Sequence, residues 1–162
     1  MSQAVGSEIV FRSFQPGDRE AFRALNEAWI ETHFQLEEKD RETLGDPERY
    51  ILAKGGYILM AERGAELIGT CALIALGDGR FEIAKMTVVE RERGQGVGRQ
   101  LLEYAVEFAR QKAIARLYLE TNTKLQNAIR IYEAVGFRHL PPEQVKPSPY
   151  ARANVYMEMT LF

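Results

Sequence analysis

The chain has 162 residues, 46% of them hydrophobic and 27% charged, which is enough apolar material for one ordinary domain with its own core. A formal net charge of -2 gives no global field for a nucleic-acid backbone, so no nucleic-acid partner is expected and any anionic ligand needs a local device. The single cysteine, Cys71, excludes an intrachain disulfide and a cysteine-built metal site, and MSQAVGSEIVFRSFQ mixes charge with apolar residues too closely for a signal peptide or membrane span. The expectation is one cytoplasmic domain over residues 1–162 with no membrane partner.

EIVFRSF (8–14) reads as a short strand, after which Pro16 and Gly17 turn the chain and Asp18 is placed to cap a helix whose core face is Phe22, Leu25, Ala28 and Trp29. QLEEKDRETL (35–44) is a charged continuation or second short helix stopped by Gly45. DPERYILAKG (46–55) reads as another short helix, with Asp46 as its cap and Pro47 at its first position. The period then changes. GYILMAERG, AELIGTCALIAL and RFEIAKMTVVE are apolar runs parted by Arg63-Gly64 and Gly77-Asp78-Gly79, which predicts a three-strand antiparallel meander. Cys71 falls inside the second run, where a buried strand thiol is the reading and a nucleophile the alternative.

A helix follows over VGRQLLEYAVEFARQKA, with Val97, Leu101, Ala105 and Phe108 on one face, then a strand at RLYLETN. KLQNAIRIYEAVG is a further helix, with Leu125, Ala128, Ile129 and Tyr132 at spacings of three and four and Gly136 at its end; FRHL and ANVYMEMTLF are closing strands around a Pro-rich loop. The order β, helices, β-β-β, α, β, α, β, β predicts an α/β (α+β) fold with a mixed, mostly antiparallel sheet.

RERGQGVGRQLL, between the meander and its helix, concentrates Gly94, Gly96 and Gly98 where a strand turns into a helix. Free backbone N–H groups and the positive end of the helix dipole meet at such a point, and glycines let an anion approach them. A P-loop is excluded, because Gly-Lys-Ser and Gly-Lys-Thr are absent from the chain. A dinucleotide fingerprint would follow the first strand of a parallel βαβ unit, with a different glycine spacing.

Arg93-Gly94-Gln95-Gly96-Val97-Gly98 resembles the R/Q-x-x-G-x-G/A signature of the GNAT N-acetyltransferase superfamily, and the likeness extends through MTVVERERGQGVGRQLL and ETNTKLQNAIRIYEAVGF. The Glu82-x-x-Lys85-Met86-x-Val88 strand is also similar to that of small bacterial acetyltransferases of this kind. The resemblance implies a GNAT fold of about seven strands flanked by helices, with acetyl-CoA as co-substrate. Its pyrophosphate would lie on Arg93, Gly94, Gln95, Gly96, Val97, Gly98 and Arg99, and its acetyl and pantetheine portion along the backbone of Met86, Thr87 and Val88. The amide of Val88 would be the oxyanion donor.

The same resemblance places Tyr132 at the leaving sulfur as proton donor and Asn127 by the pantetheine arm, through the family's N-x-x-x-x-Y helix. A core-face aromatic is the alternative for Tyr132. Glu82 matches the family's strand glutamate and would take the amine proton, directly or through a water, in a direct attack within a ternary complex. A structural ion pair is its alternative, and Glu120 is the second choice of base. Strict alternation puts Glu82, Ala84, Met86 and Val88 on one sheet face, unless a bulge resets the register.

Family members take their acceptor between the first helices and the last strands, here Trp29 to Asp40 and Pro147 to Asn154. Trp29, His33, Tyr150 and Arg152 are therefore the acceptor-binding residues, with Arg152 suited to a substrate carboxylate. Glu31, Glu37, Glu38 and Asp40 form an acidic rim that reads mostly as a solvated helix face. His33 and His139 lie far apart without carboxylates at ligand spacing, so no metal is expected. The function expected is acetyl transfer to a primary amine of a small-molecule acceptor. The alternatives are a peptide or protein N-terminus as acceptor, or a non-catalytic acyl-CoA-binding sensor or regulatory module. The chain would be a monomer or homodimer.

Overall fold

In the computed structural model, which describes residues 8–145 and 148–162, seven strands form one sheet. They are β1 (Ile9–Ser13), β2 (Tyr57–Arg63), β3 (Glu66–Gly77), β4 (Arg80–Val88), β5 (Arg116–Thr121), β6 (Arg138–Leu140) and β7 (Val155–Thr160), in the spatial order β1-β2-β3-β4-β5-β7-β6. Every neighbouring pair is antiparallel except β4 with β5. The expected meander is β2-β3-β4. Residues 1–7 of the N-terminal stretch and Pro147 of the acceptor-side loop lie outside the described residues.

Helices α1 (Arg19–His33) and α2 (Glu38–Gly45) cover one face of the sheet, and α3 (Val97–Gln111) and α4 (Gln126–Val135) the other. The apolar run of β2 is continuous because both of its faces are buried. Ile58 and Met60 enter the α1/α2 core with Phe22, Ile30 and Leu44, while Leu59 and Ala61 enter the α3/α4 core with Leu73, Leu101 and Leu117. The expected face of α3 is the observed one, with Val97, Leu101 and Ala105 buried. Among the described residues no helix is long and apolar enough to cross a membrane.

Three local expectations are corrected. In α1 the buried positions are Phe22, Asn26 and Ile30, and Ala28 is exposed. Asp18 makes no side-chain cap on α1; its carboxylate takes two hydrogen bonds from Arg12 at 2.7 and 3.1 Å and one from the Gln15 amide at 2.8 Å. The helix expected over 46–55 is a single π-helical turn, Glu48–Leu52, with Asp46 accepting from the Arg49 amide at 3.2 Å.

Leu101 is fully buried where α3 meets β3, so a Leu101→Ala chain is expected to lose about 2 to 5 kcal/mol of stability. Urea unfolding should show this as a lower midpoint at unchanged slope.

Candidate active site

Strands β4 and β5 pair only from Arg80 with Arg116 to Ile83 with Leu119, then part, although β4 continues to Val88 and β5 to Thr121. The cause lies on β4. Between the pairs Thr70 with Thr87 and Ala72 with Ala84, β4 carries one residue more than β3, and within this bulge Lys85 has φ of +51°. The extra residue reverses the alternation. Glu82 pairs with Ile74 and lies toward α1 and α2, whereas Met86 and Val88 pack into the α3/α4 core. The four residues expected on one face are thus divided between two. The parted strands open a cleft of about 970 Å³, which reaches from Trp29 and His33 on α1 to Asn127 and Tyr132 on α4.

On the α3/α4 side the glycine turn meets the cleft. Gly94 and Gly96 are exposed with φ of +78° and +83°, a conformation that requires glycine. Gly98 is different: it lies in the first turn of α3 with no positive φ, and a Cβ there would meet nothing within 4 Å. Nothing in the protein needs glycine at that place, which costs about 1 kcal/mol of helix stability relative to alanine. An open surface bounded by glycine fits close approach of a phosphate group. The Gln100 amide is bonded to the Gly96 carbonyl at 3.0 Å, and the amides of Val97, Gly98 and Arg99, in the first turn of α3, have no partner within the helix.

The cationic groups at this turn are not equivalent. Arg91 pairs with Glu66 and Arg99 with Glu103 at 3.3 Å, while Arg93 donates through Nε to the Val88 carbonyl at 2.9 Å. The Gln95 amide nitrogen donates to the Arg91 carbonyl at 3.3 Å. Arg93 and Arg99 line the cleft, as do Met86, Thr87 and Val88. Because the Val89 amide donates to Ile68 on β3 at 2.8 Å, the preceding Val88 amide points the other way, into the gap.

Tyr132 packs edge-on against Phe137, with ring centroids 6.1 Å apart. Burial pushes its phenol well above the usual tyrosine range, with Cys71 adding to the effect, so the hydroxyl stays protonated at neutral pH. Cys71 is itself fully buried, with its thiol pushed up to about 12 by that burial, which is the behaviour of a structural thiol. Asn127 is exposed at the cleft and accepts from Arg130 at 2.7 Å.

The α1/α2 side carries carboxylates. Burial pushes Glu82 up to about 7, and the charge of Glu120 raises it further while Lys85 and Lys39 oppose. Glu120 accepts from the Tyr118 hydroxyl at 3.0 Å and from Ser148 at 2.6 Å. The Trp29 and His33 rings meet at 4.9 Å, tilted by 47°, beside this region, and burial lowers the His33 pKa, with Arg93 and Lys124 adding to the shift.

Asp40, expected on a solvated face, is instead completely buried. Arg152 grips it with two hydrogen bonds of 2.8 Å, Lys85 adds one of 2.9 Å, and the Glu37 amide another of 2.9 Å. Arg152 also reaches Glu37 at 3.3 Å. The expectation that Arg152 would meet a substrate carboxylate is corrected, because its charge is already answered by Asp40 and Glu37. Tyr150 lies beneath both cations, 4.6 Å from Lys85 and 4.4 Å from Arg152, and its hydroxyl accepts from Lys85 at 3.0 Å.

Two features of this ion-pair cluster were missed from the sequence. Lys85 was part of the quoted strand pattern without a role of its own. Asp40 had a local signal, since Glu37 and Asp40 stand three apart at the start of a helix and form a capping box, which turns Asp40 inward.

The fold and this cleft define an acyltransferase-type domain, and a family model described as "Acetyltransferase (GNAT) family" matches residues 19–137. The chain belongs to that family. Streptothricin acetyltransferase of Streptomyces lavendulae is 29% identical over 161 residues, an alignment covering 85% of each protein. N-acetyltransferase 8F1 of Rattus norvegicus is 29% identical over 103 residues, which is 60% of this chain and 47% of the relative; the chain spans less than half the length of such mammalian relatives. The crystal structure of a GNAT-family acetyltransferase from Staphylococcus aureus Mu50 superposes with a TM-score of 0.85 at 21% identity, covering 96% of this chain and 100% of that one. The likeness confirms the fold expected from the sequence.

Removing the charge of Asp40 leaves Lys85 and Arg152 buried without it, so Asp40→Asn is expected to cost about 3 to 5 kcal/mol at neutral pH. Burial alone would raise the Asp40 pKa, but Arg152 and Lys85 outweigh it and hold the carboxyl well below the usual range. Its contribution is therefore present above the unfolded value of about 3.9 and is lost as pH falls through the lower folded value. Denaturant unfolding of both chains should show the difference shrinking below about pH 4.

Proposed function

We propose that this chain is an acetyl-CoA-dependent N-acetyltransferase that acts by direct attack of a primary amine of a small-molecule acceptor. The observation that carries the proposal is that one cleft, passing through the gap between β4 and β5, joins the glycine turn on one sheet face to Glu82 on the other. Streptothricin acetyltransferase, by its name, acts on a small molecule, and its likeness over 85% of the chain supports an acceptor of that kind.

Acetyl-CoA, when bound, supplies an acyl group activated as a thioester. In this reading Gly94, Gln95, Gly96, Val97 and Gly98 present backbone donors to the pyrophosphate, and Arg93 and Arg99 add positive charge at its edge. Met86, Thr87 and Val88 offer the unpaired edge of β4 to the pantetheine arm, and Asn127 flanks it from α4. The Val88 amide aims at the acyl oxygen, where a preorganised donor lowers the barrier by ~3 kcal/mol.

Glu82 receives the proton of the attacking amine. A carboxylate raised to about 7 is matched to that task near neutral pH, since it is basic enough to accept a proton and still largely ionised at mildly alkaline pH. Tyr132 delivers a proton toward the departing sulfur from a phenol that burial keeps protonated. Trp29, His33 and Tyr150 border the acceptor. Retention of both an acid and a base argues for turnover over a sensor that only binds.

Calorimetric titration should show binding of acetyl-CoA and none of NAD or ATP, and Gly96→Glu should abolish that binding with the fold intact by circular dichroism; unchanged affinity would move the phosphate site elsewhere. Tyr132→Phe is expected to keep acetyl-CoA binding while turnover falls by about 10²-fold or more, the usual weight of a positioned acid. Equal turnover would remove Tyr132 from the mechanism. The pH profile of kcat/KM should rise through about 7 as Glu82 loses its proton, and Glu82→Gln should erase that inflection.

A further inference from the structure

The two faces of the cleft differ in charge, and the α1/α2 face is specific enough to name an acceptor class. Its two inward cations are both spent: Lys85 and Arg152 have side chains only 5% and 17% exposed, and they are answered by Asp40 and Glu37. The surplus charge on this face is carried by Glu82 and Glu120. These lie together because Glu82 pairs across the sheet with Tyr118, and Glu120 is two residues further along β5 on the same face. Two further cations lie near and are both exposed: Lys39, whose charge opposes that of Glu120 at Glu82, and Lys124, which borders the cleft and donates to the His33 carbonyl at 3.3 Å with its ammonium over the Phe34 ring.

Glu120 is held for binding. Its two oxygens each accept one hydroxyl hydrogen bond, from Tyr118 and Ser148, and Ser148 is itself fixed by the Tyr150 amide at 3.0 Å. A carboxylate has about four lone-pair directions, so two are left for a ligand. Thr87 gives an independent sign that a polar ligand enters here. It is 4% exposed, its hydroxyl oxygen has no hydrogen-bond partner among the described residues, and it lines the same cleft. It also pairs with Thr70, whose hydroxyl contacts Met60 of the α1/α2 core, so it stands on the same face as the carboxylates. A buried hydroxyl without a partner is costly unless a ligand supplies one.

We propose that the acceptor is an aliphatic amine bearing a second positive charge and no carboxylate near it, with Glu120 holding the second ammonium while Glu82 serves the reacting amine and Thr87 bonds the polar end that enters the gap. The proposal rests on the acetyltransferase reading and deepens it. A substrate carboxylate would face Glu82 and Glu120 while the buried cations Lys85 and Arg152 are already paired and Lys39 and Lys124 are exposed to solvent, so zwitterionic amino acids are disfavoured on this face.

The test is thiol release from acetyl-CoA with three acceptors of one chain length: butylamine, the butane diamine with an amine at each end, and the matching ω-amino acid. The diamine is expected to exceed butylamine in kcat/KM by about tenfold, the weight of one hydrogen-bonded charge pair, with the ω-amino acid slowest. Glu120→Gln should collapse the preference for diamine over butylamine, mostly through the KM of the diamine and with the KM for acetyl-CoA unmoved. Ser148→Ala, which removes one of the two bonds to Glu120 together with the acceptor of the Tyr150 amide, should reduce the same preference partly. Equal kcat/KM for the three acceptors, a faster ω-amino acid, or an unchanged preference in Glu120→Gln would overturn the inference and leave the acetyltransferase reading standing. Acetyl-CoA binding without release from any of the three would also overturn the inference alone. Failure to bind acetyl-CoA would overturn both.

Discussion

The parting of β4 from β5 is the constraint on which the rest of the molecule turns. A strand interior that loses its neighbour leaves backbone donors and acceptors unpaired, which proteins ordinarily avoid or cover. Here the loss is built in. One extra residue on β4 places Lys85 at φ of +51°, a conformation costing a side-chain-bearing residue about 1 kcal/mol or more, and the ammonium of that residue is clamped by buried Asp40 on α2. The same carboxylate holds Arg152, in the segment leading to β7. Asp40 therefore ties the strand that opens the gap to two elements that border it.

The bulge also settles which side chains face which helices. Upstream of it Glu82 looks toward α1 and α2, and downstream Met86 and Val88 look toward α3 and α4, so these side chains lie on opposite faces of one strand beside the gap. Charge is sorted in the same way. The α3/α4 side offers helix-end amides with Arg93 and Arg99, whereas the α1/α2 side offers Glu82 and Glu120. A formal net charge of -2 conceals this division, because the local fields oppose each other across a single sheet.

Much of this was legible in the residues because it is local. Three glycines at the start of an amphipathic run, Tyr132 five residues after Asn127, and Glu82 ahead of Met86 and Val88 are patterns confined to short windows, and each lands on the cleft. The meander could be read from turn glycines between apolar runs. What escaped is non-local or depends on register. Asp40 meets Lys85 across 45 positions and Arg152 across 112, and an aspartate in a charged helix looks solvated until its distant partners are known. The 46–55 segment differs as well: it forms one wide turn that buries Ile51 in the α1/α2 core, and its local pattern did not distinguish that from a regular helix.

Periodicity and turn chemistry were thus sufficient for element order, for the core face of α3 and for the glycine turn at the start of that helix, since each follows from neighbours within a few residues of one another. The gap between β4 and β5, the opposite facing of Glu82 and Val88, the burial of Asp40 and the neutralisation of Arg152 follow from how strands pair and which helices cover them. A single inserted residue reverses the alternation of everything after it, and long-range ion pairs form only between elements that the fold has brought together.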